Sequence, residues 1–157
     1  MMKWAASTLE KAARLLGRST PRQEKAAARC SPQVLAYVGD AVFEVYIRTF
    51  LVGREGDKPV TSLHRSATFL ARARGQAAFL KEIEPLLTEK EMGLVRRGRN
   101  AGGRIPKGAA MGDYRQATGL ETLLGTLYLE GSIERLQEIM GAGLSLLLKD
   151  PTKGAGR

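Results

Sequence analysis

Apolar residues recur along this chain at intervals of three and four, the spacing that puts them on one face of an α-helix. Residues 5–17 carry Leu9, Ala12, Ala13 and Leu16 at that spacing and end at Gly17, which predicts a short amphipathic helix. "RSTPRQEKAAAR" then breaks the pattern and reads as a polar, mobile connector. Ser31-Pro32 is a helix start, with a hydroxyl to cap the first free N–H groups and a proline in the first turn, where no N–H is needed. The helix it opens is expected to run to about Leu51, where "VGREGDKP" punctuates it. Thr61 or Ser62 is expected to cap the next helix, which carries Leu63, Ala67, Leu70, Ala77 and Leu80. "KEIEPLL" reads as a short broken segment. Thr88 followed three residues on by Glu91 has the form of a capping box, opening a helix to about Asn100. "AGGRIPKGAAMGD" holds four glycines and a proline and reads as a loop. Another helix is expected over Tyr114–Leu129. Ser132 caps a last one through Leu148, with Ile133, Leu136, Met140, Leu144 and Leu147 in register. No alternating strand pattern and no internal repeat competes with this, so the predicted fold class is all-α.

Two of these helices are apolar on nearly every side, yet each holds an acid. "LAYVGDAVFEVYIR", residues 35–48, contains Asp40 and Glu44, and "TGLETLLGTLYLEG", residues 118–131, contains Glu121 among Leu120, Leu123, Leu124 and Leu127. A helix of this kind is normally buried, and a buried carboxylate is costly unless it is paired, hydrogen-bonded or metal-bound. Each helix also spends about 1 kcal/mol on a glycine where alanine would serve better. Gly39 adjoins Asp40, and Gly125 lies one turn beyond Glu121. One account unites the four residues. The helices cross at their glycines, Asp40 and Glu121 face each other, and their repulsion is relieved by a hard divalent cation with oxygen ligands, Mg²⁺ or Mn²⁺. The other account pairs Asp40 with an arginine and Glu121 with a backbone donor, and residue types alone do not choose between them. Glu44 reads first as an i,i+4 partner of Arg48 and second as an additional ligand.

Charge adds a partner to the picture. The chain has 25 Lys+Arg against 16 Asp+Glu, a net charge of +9, which points to a polyanion, most often nucleic acid. Residues 1–29 are themselves basic, with seven Lys/Arg against two Glu. "RRGRNAGGRIPKG" gathers Arg96, Arg97, Arg99, Arg104 and Lys107 around Asn100, with glycines that let backbone approach phosphates closely. No aromatic residues interleave with these cations, so duplex recognition through shape and phosphates fits better than single-strand stacking. His64-Arg65 and Arg72/Arg74 are weaker contact candidates. The one cysteine, Cys30, and the one histidine exclude an intramolecular disulfide and a Cys/His zinc cluster. No apolar run reaches the ~18–20 residues of a membrane span, and no signal-peptide pattern opens the chain, so a cytoplasmic protein without a membrane partner is expected.

At these same residues the sequence resembles a known family. "LAYVGDAVFEVYIR", then "RRGRNA", then "TGLETLLGTLYLEG", in this order, is similar to the catalytic domain of the ribonuclease III family, and to its short bacterial branch, Mini-ribonuclease III. The resemblance implies an all-helical, homodimeric endoribonuclease that cuts double-stranded RNA with Mg²⁺. It further implies a role in maturing the large-subunit ribosomal RNA precursor. It places Asp40 and Glu121 as the family's essential, metal-binding aspartate and glutamate. The expected RNA contacts are the basic segment, Arg96, Arg97, Arg99, Asn100, Arg104 and Lys107, and, more weakly, His64.

The sequence departs from full-length ribonuclease III enzymes at two carboxylates. Ala36 stands where they carry a glutamate one turn before the aspartate, and Thr118 where they carry an aspartate three residues before the glutamate. The short branch shares both departures, so the metal shell is expected to be completed by water and phosphate oxygens. The likeness extends over residues 31–148, the expected catalytic domain. Residues 1–30 are expected to be a flexible basic extension and 149–157 a disordered tail, too short for the double-stranded-RNA-binding domain of longer members. Binding then falls to the catalytic dimer or to a ribosomal helper protein. A non-catalytic RNA-binding relative acting in ribosome assembly is the alternative, favoured by the two missing carboxylates and opposed by the retained pair.

Overall fold

Seven α-helices and one 3₁₀ turn make up the part of the chain that the computed structural model describes, residues 21–149, and no strand occurs among those residues. They are α1 (Pro21–Arg29), α2 (Pro32–Glu55), α3 (Val60–Ala71), α4 (Ala73–Ile83), the 3₁₀ turn (Glu84–Leu86), α5 (Glu89–Asn100), α6 (Met111–Glu130) and α7 (Ile133–Lys149). The fold is all-α, as the periodicity predicts.

Helix α6 is the axis around which the others assemble. It packs against α1, α2, α4, α5 and α7. Its sequence explains this: Leu120, Leu123, Leu124 and Leu127 are buried together with Gly119, Thr122, Gly125 and Thr126, so apolar or small residues occupy all sides. The buried hydroxyls are satisfied within the helix. Thr122 Oγ1 donates to the Thr118 carbonyl and Thr126 Oγ1 to the Thr122 carbonyl, each at 2.7 Å. The widest contact is with α2, which turns Leu35, Ala36, Gly39, Val42, Phe43, Ile47 and Leu51 inward. Here the two glycines act as the sequence suggests. A Cβ on Gly39 would stand 1.7 Å from the Glu121 carbonyl oxygen, and one on Gly125 would stand 1.9 Å from that of Leu35. Only hydrogen fits at either point, so backbone lies on backbone. Phe43 of α2 and Phe79 of α4 meet edge to face, 5.2 Å between centroids, and close the core beneath the crossing.

Several boundaries differ from those expected. The segment read as a mobile connector forms α1 over residues 21–29. Its alanines favour helix, and Ala27 is buried. The amphipathic segment at residues 5–17 lies outside the described residues. Helix α2 continues past Leu51 to Glu55 and stops at Gly56, whose N–H still donates to the Val52 carbonyl while its φ of 69° turns the following chain out of the helix. The single helix expected up to Leu80 is two. Arg72 is extended (φ −68°, ψ 160°), because α4 folds back so tightly that a Cβ on Gly75 would stand 2.3 Å from the Leu70 carbonyl oxygen. Neither Thr61 nor Ser62 caps α3, which begins after Pro59 without a side-chain cap. The capping box opening α5 is present in full: Thr88 Oγ1 accepts from the Glu91 N–H, and the Glu91 carboxylate accepts from the Thr88 N–H.

Candidate active site

Asp40 follows Gly39 on α2, and the peptide that Gly39 touches is that of Glu121 itself. The glycine contact therefore brings the two acids to the same place. Among the described residues neither makes a salt bridge, so the arginine partner considered for Asp40 is absent. The electrostatics follow. Burial, then the negative charge of Asp40, pushes the Glu121 carboxyl up to about 7. Partial burial, then the charge of Glu44, raises Asp40 as well. In both, a hydrogen bond from the Gln76 side chain works in the opposite direction.

The burial of the pair is unequal. An apolar α2 suggests that Asp40 is sequestered, yet the residue is solvent-exposed at the rim of the helix's inward stripe, while Glu121 is largely covered. The outward face of α2 also exposes Val34, Tyr37, Val45 and Val52, so the helix is buried along one stripe rather than all round. Glu44 is bonded to Arg48 one turn on, the first of its two readings. Ala36 is buried, and Thr118 spends its hydroxyl on the Tyr114 carbonyl at 3.0 Å. Among the described residues no group of three or more His, Cys, Asp or Glu is placed to hold a metal ion. The acidic donors are two.

Gln76 belongs to this site although no motif of the sequence marks it. It is 1% exposed, on the inward face of α4 with Phe79, Leu80 and Ile83, and is the one polar member of that stripe. Its Nε2 donates to the Ala71 carbonyl at 3.0 Å, and its Oε1 is buried without a partner. The available signal was a glutamine at i of an i, i+3, i+4, i+7 apolar set, a position that apolar residues usually fill.

The basic segment reaches the same side of α6. Gly98 is the contact: a Cβ there would stand 2.4 Å from Thr122 Oγ1 and 2.7 Å from the Thr118 carbonyl oxygen. The last turn of α5 is thus held within a turn of Glu121. Half-buried Arg99 lines a small hollow with Gly102, Gly103, Tyr114, Arg115 and Thr118. Arg97, Asn100, Arg104 and Lys107 are exposed, and Arg96 reaches Glu89 at 3.8 Å. Gln33 Nε2 donates to the Ala101 carbonyl at 3.0 Å, tying the start of the loop to the first turn of α2. Arg115 and Tyr114, which lie outside the basic segment, join this group. His64 does not join it. It lies on α3, in a hollow shared with Arg48, Leu51, Val52, Val60 and Leu63. Arg72 is occupied by stacking over the Phe69 ring, 4.1 Å from its centroid.

Residues 33–132 match the model of the Ribonuclease III domain family. The chain is 43% identical over 117 residues to a Mini-ribonuclease 3 of Clostridium tetani, covering 74% of this chain and 78% of that protein. It is 45% identical over 118 residues to one of a Thermoanaerobacter species, covering 74% and 82%. It is 45% identical over 117 residues to one of Symbiobacterium thermophilum, covering 74% and 89%. The crystal structure of a Fusobacterium nucleatum protein superposes with a TM-score of 0.67 at 25% identity, covering 74% of this chain and 93% of that one.

Proposed function

From the premise that this chain belongs to the ribonuclease III family, in its Mini-ribonuclease III branch, we propose that it is an endoribonuclease whose working carboxylates are Asp40 and Glu121. The observation that carries the reading is the pair itself: two acids converge at the α2–α6 crossing with no salt-bridge partner among the described residues. The donor set suits Mg²⁺ or Mn²⁺. It offers two hard carboxylates, with the buried Gln76 amide near both. When bound, such an ion lowers the pKa of water and stabilises charge developing on a scissile phosphate. Exposed Asp40 and largely covered Glu121 would hold such an ion, and the low dielectric around Glu121 would strengthen its attraction for the cation.

The substrate is double-stranded RNA. The α5 end and its loop give Arg97, Arg99, Asn100, Arg104 and Lys107 a common approach to phosphates, with Arg96 beside them. The small residues between them allow a duplex backbone to come close. The catalytic unit spans residues 31–148 and acts as a homodimer. The support for the dimer is the apolar side of α2 and its neighbours, where Tyr37 is 83% and Val60 79% exposed. Two protomers bring two carboxylate pairs, one for each strand. The precursor of large-subunit ribosomal RNA, in the cytoplasm, with or without a ribosomal helper protein, is the expected setting.

The test is direct. Purified protein should cut a long RNA duplex with Mg²⁺ and stop when EDTA is added. A protein that binds the duplex in Mg²⁺ and leaves it intact would be the non-catalytic relative instead.

A further inference from the structure

Gln76 is a neutral residue in a place of high electrostatic consequence. Its amide is pinned at one end: the Ala71 carbonyl accepts only, so the nitrogen must face it, at 3.0 Å. The same amide is near enough to Asp40 and Glu121 to favour both carboxylates in their charged form, against the effect of burial. That leaves Oε1 buried with no donor. A buried acceptor without a partner is unfavourable and calls for an explanation. Core filling does not supply one, since a methionine would pack the same volume without the orphaned oxygen.

We propose that Gln76 is a positioning residue of the cation site: anchored by Ala71, it holds the Asp40 and Glu121 carboxylates at a set spacing, and its free Oε1 accepts from a water of the bound divalent ion. The inference rests on the carboxylate pair being the site. Mg²⁺ keeps several of its waters when bound through few carboxylates, and those waters need acceptors. A neutral amide provides one without adding a third negative charge to two that already repel. Anchored to the Ala71 carbonyl, it favours the charged carboxylates before any cation arrives. Partners of this kind, which touch the ligands and not the metal, commonly change metal affinity ~10–100-fold when removed.

The experiment follows the melting temperature against MgCl₂ concentration, starting from EDTA, for the wild type, Gln76→Met, Gln76→Glu, Asp40→Asn and Glu121→Gln. Gln76→Met should raise the half-saturating Mg²⁺ concentration by about 10-fold or more. Gln76→Glu should lower it, because a third carboxylate faces the ion, and should melt earlier in EDTA. A half-saturating concentration within about twofold of wild type for Gln76→Met overturns the proposal, since a purely structural glutamine would move only the baseline melting temperature; Gln76→Met alone decides if Gln76→Glu does not fold. The parent reading has its own control. Asp40→Asn and Glu121→Gln must abolish the Mg²⁺ response, and if they keep it, the carboxylate-pair site fails and this inference with it. If they abolish it while Gln76→Met is unchanged, only the role of Gln76 is lost.

Discussion

Glu91 and Glu121 are the same residue in similar settings, each in a helix and each largely removed from water, and they are treated in opposite ways. Glu91 opens α5 and is met by donors. Its carboxylate accepts from the Thr88 N–H at 2.8 Å and from Arg135 at 2.8 and 2.9 Å in a two-pronged bond. Arg135 also binds Glu138 at 3.0 Å and the Leu86 carbonyl at 2.8 Å, so one guanidinium joins α5, the 3₁₀ turn and α7. The Arg135 bonds hold the Glu91 carboxyl below its ordinary range against the opposing effect of burial. Glu121 is met by another carboxylate and one amide, and its carboxyl rises to about 7. Burial is thus not the discriminating property. A buried acid whose bonds are all supplied by the chain is a fastener. One whose chain-supplied neighbours are mostly acceptors is left open to something from outside.

The contrast is broken most severely at the open end. Asp40→Asn preserves shape and removes charge, and duplex cleavage should fall by about a thousandfold, the scale of losing one preorganised electrostatic partner of the transition state. Gel-shift binding of the same duplex and the far-UV spectrum should be unchanged. Asp40→Asn protein that still cuts at the wild-type rate would remove Asp40 from the chemistry. At the fastened end the expected loss is of stability instead. Arg135→Met leaves Glu91 buried without its cation and should cost about 3 kcal/mol in urea unfolding, at the low end of such losses because Arg135 is partly exposed. Its cleavage rate per folded molecule should match the wild type.

Proton linkage sharpens the comparison, because the two acids carry opposite signs. The folded-state pKa of Glu121 lies above its unfolded value, so the folded protein holds a proton that the unfolded chain releases. In EDTA its contribution should turn unfavourable as pH rises from about 4.5 to 7, by of order 3 kcal/mol, and stay constant above that. Mg²⁺ should cancel the loss. Glu91 is depressed, so its stabilisation is present above about 4.5 and is lost as pH falls through its lower folded-state value. Melting curves of Glu121→Gln should lack the neutral-side decline and those of Glu91→Gln the acid-side one. Identical pH profiles for both variants would mean that the two environments do not differ as described.

The smallest effect belongs to the basic loop. Changing Arg97, Arg99 and Arg104 to Ala should weaken binding of all duplexes alike and reduce the slope of log affinity against log salt by up to ~0.9 per contact on the B-form scale. An unchanged slope would make these arginines structural. The rate at saturating duplex should hold, because none of the three belongs to the carboxylate pair.

Much of this was legible from neighbours within four residues along the chain. The all-α class, the Thr88–Glu91 box and the Ser31-Pro32 start depend on hydrogen bonds and side-chain spacings inside one or two turns, and a sequence displays these directly. So does the coincidence of a glycine and an acid in each of two apolar helices, which marked Gly39, Asp40, Glu121 and Gly125 as members of one crossing. What remained hidden was decided by groups far apart in sequence. Arg135 lies 44 residues from the Glu91 it fastens, and nothing local distinguishes that glutamate from the one left open. The break at Arg72 follows from backbone meeting backbone at Gly75, while periodicity runs through it undisturbed. Asp40 proved exposed because only one stripe of α2 is covered, and how much of an apolar helix its neighbours cover is a property of the assembly. Gln76 is the clearest case. Its residue type and inward position are written in the sequence, but that its amide would come near two acids from other helices, with its oxygen unpaired, was settled only when α2, α4 and α6 packed together.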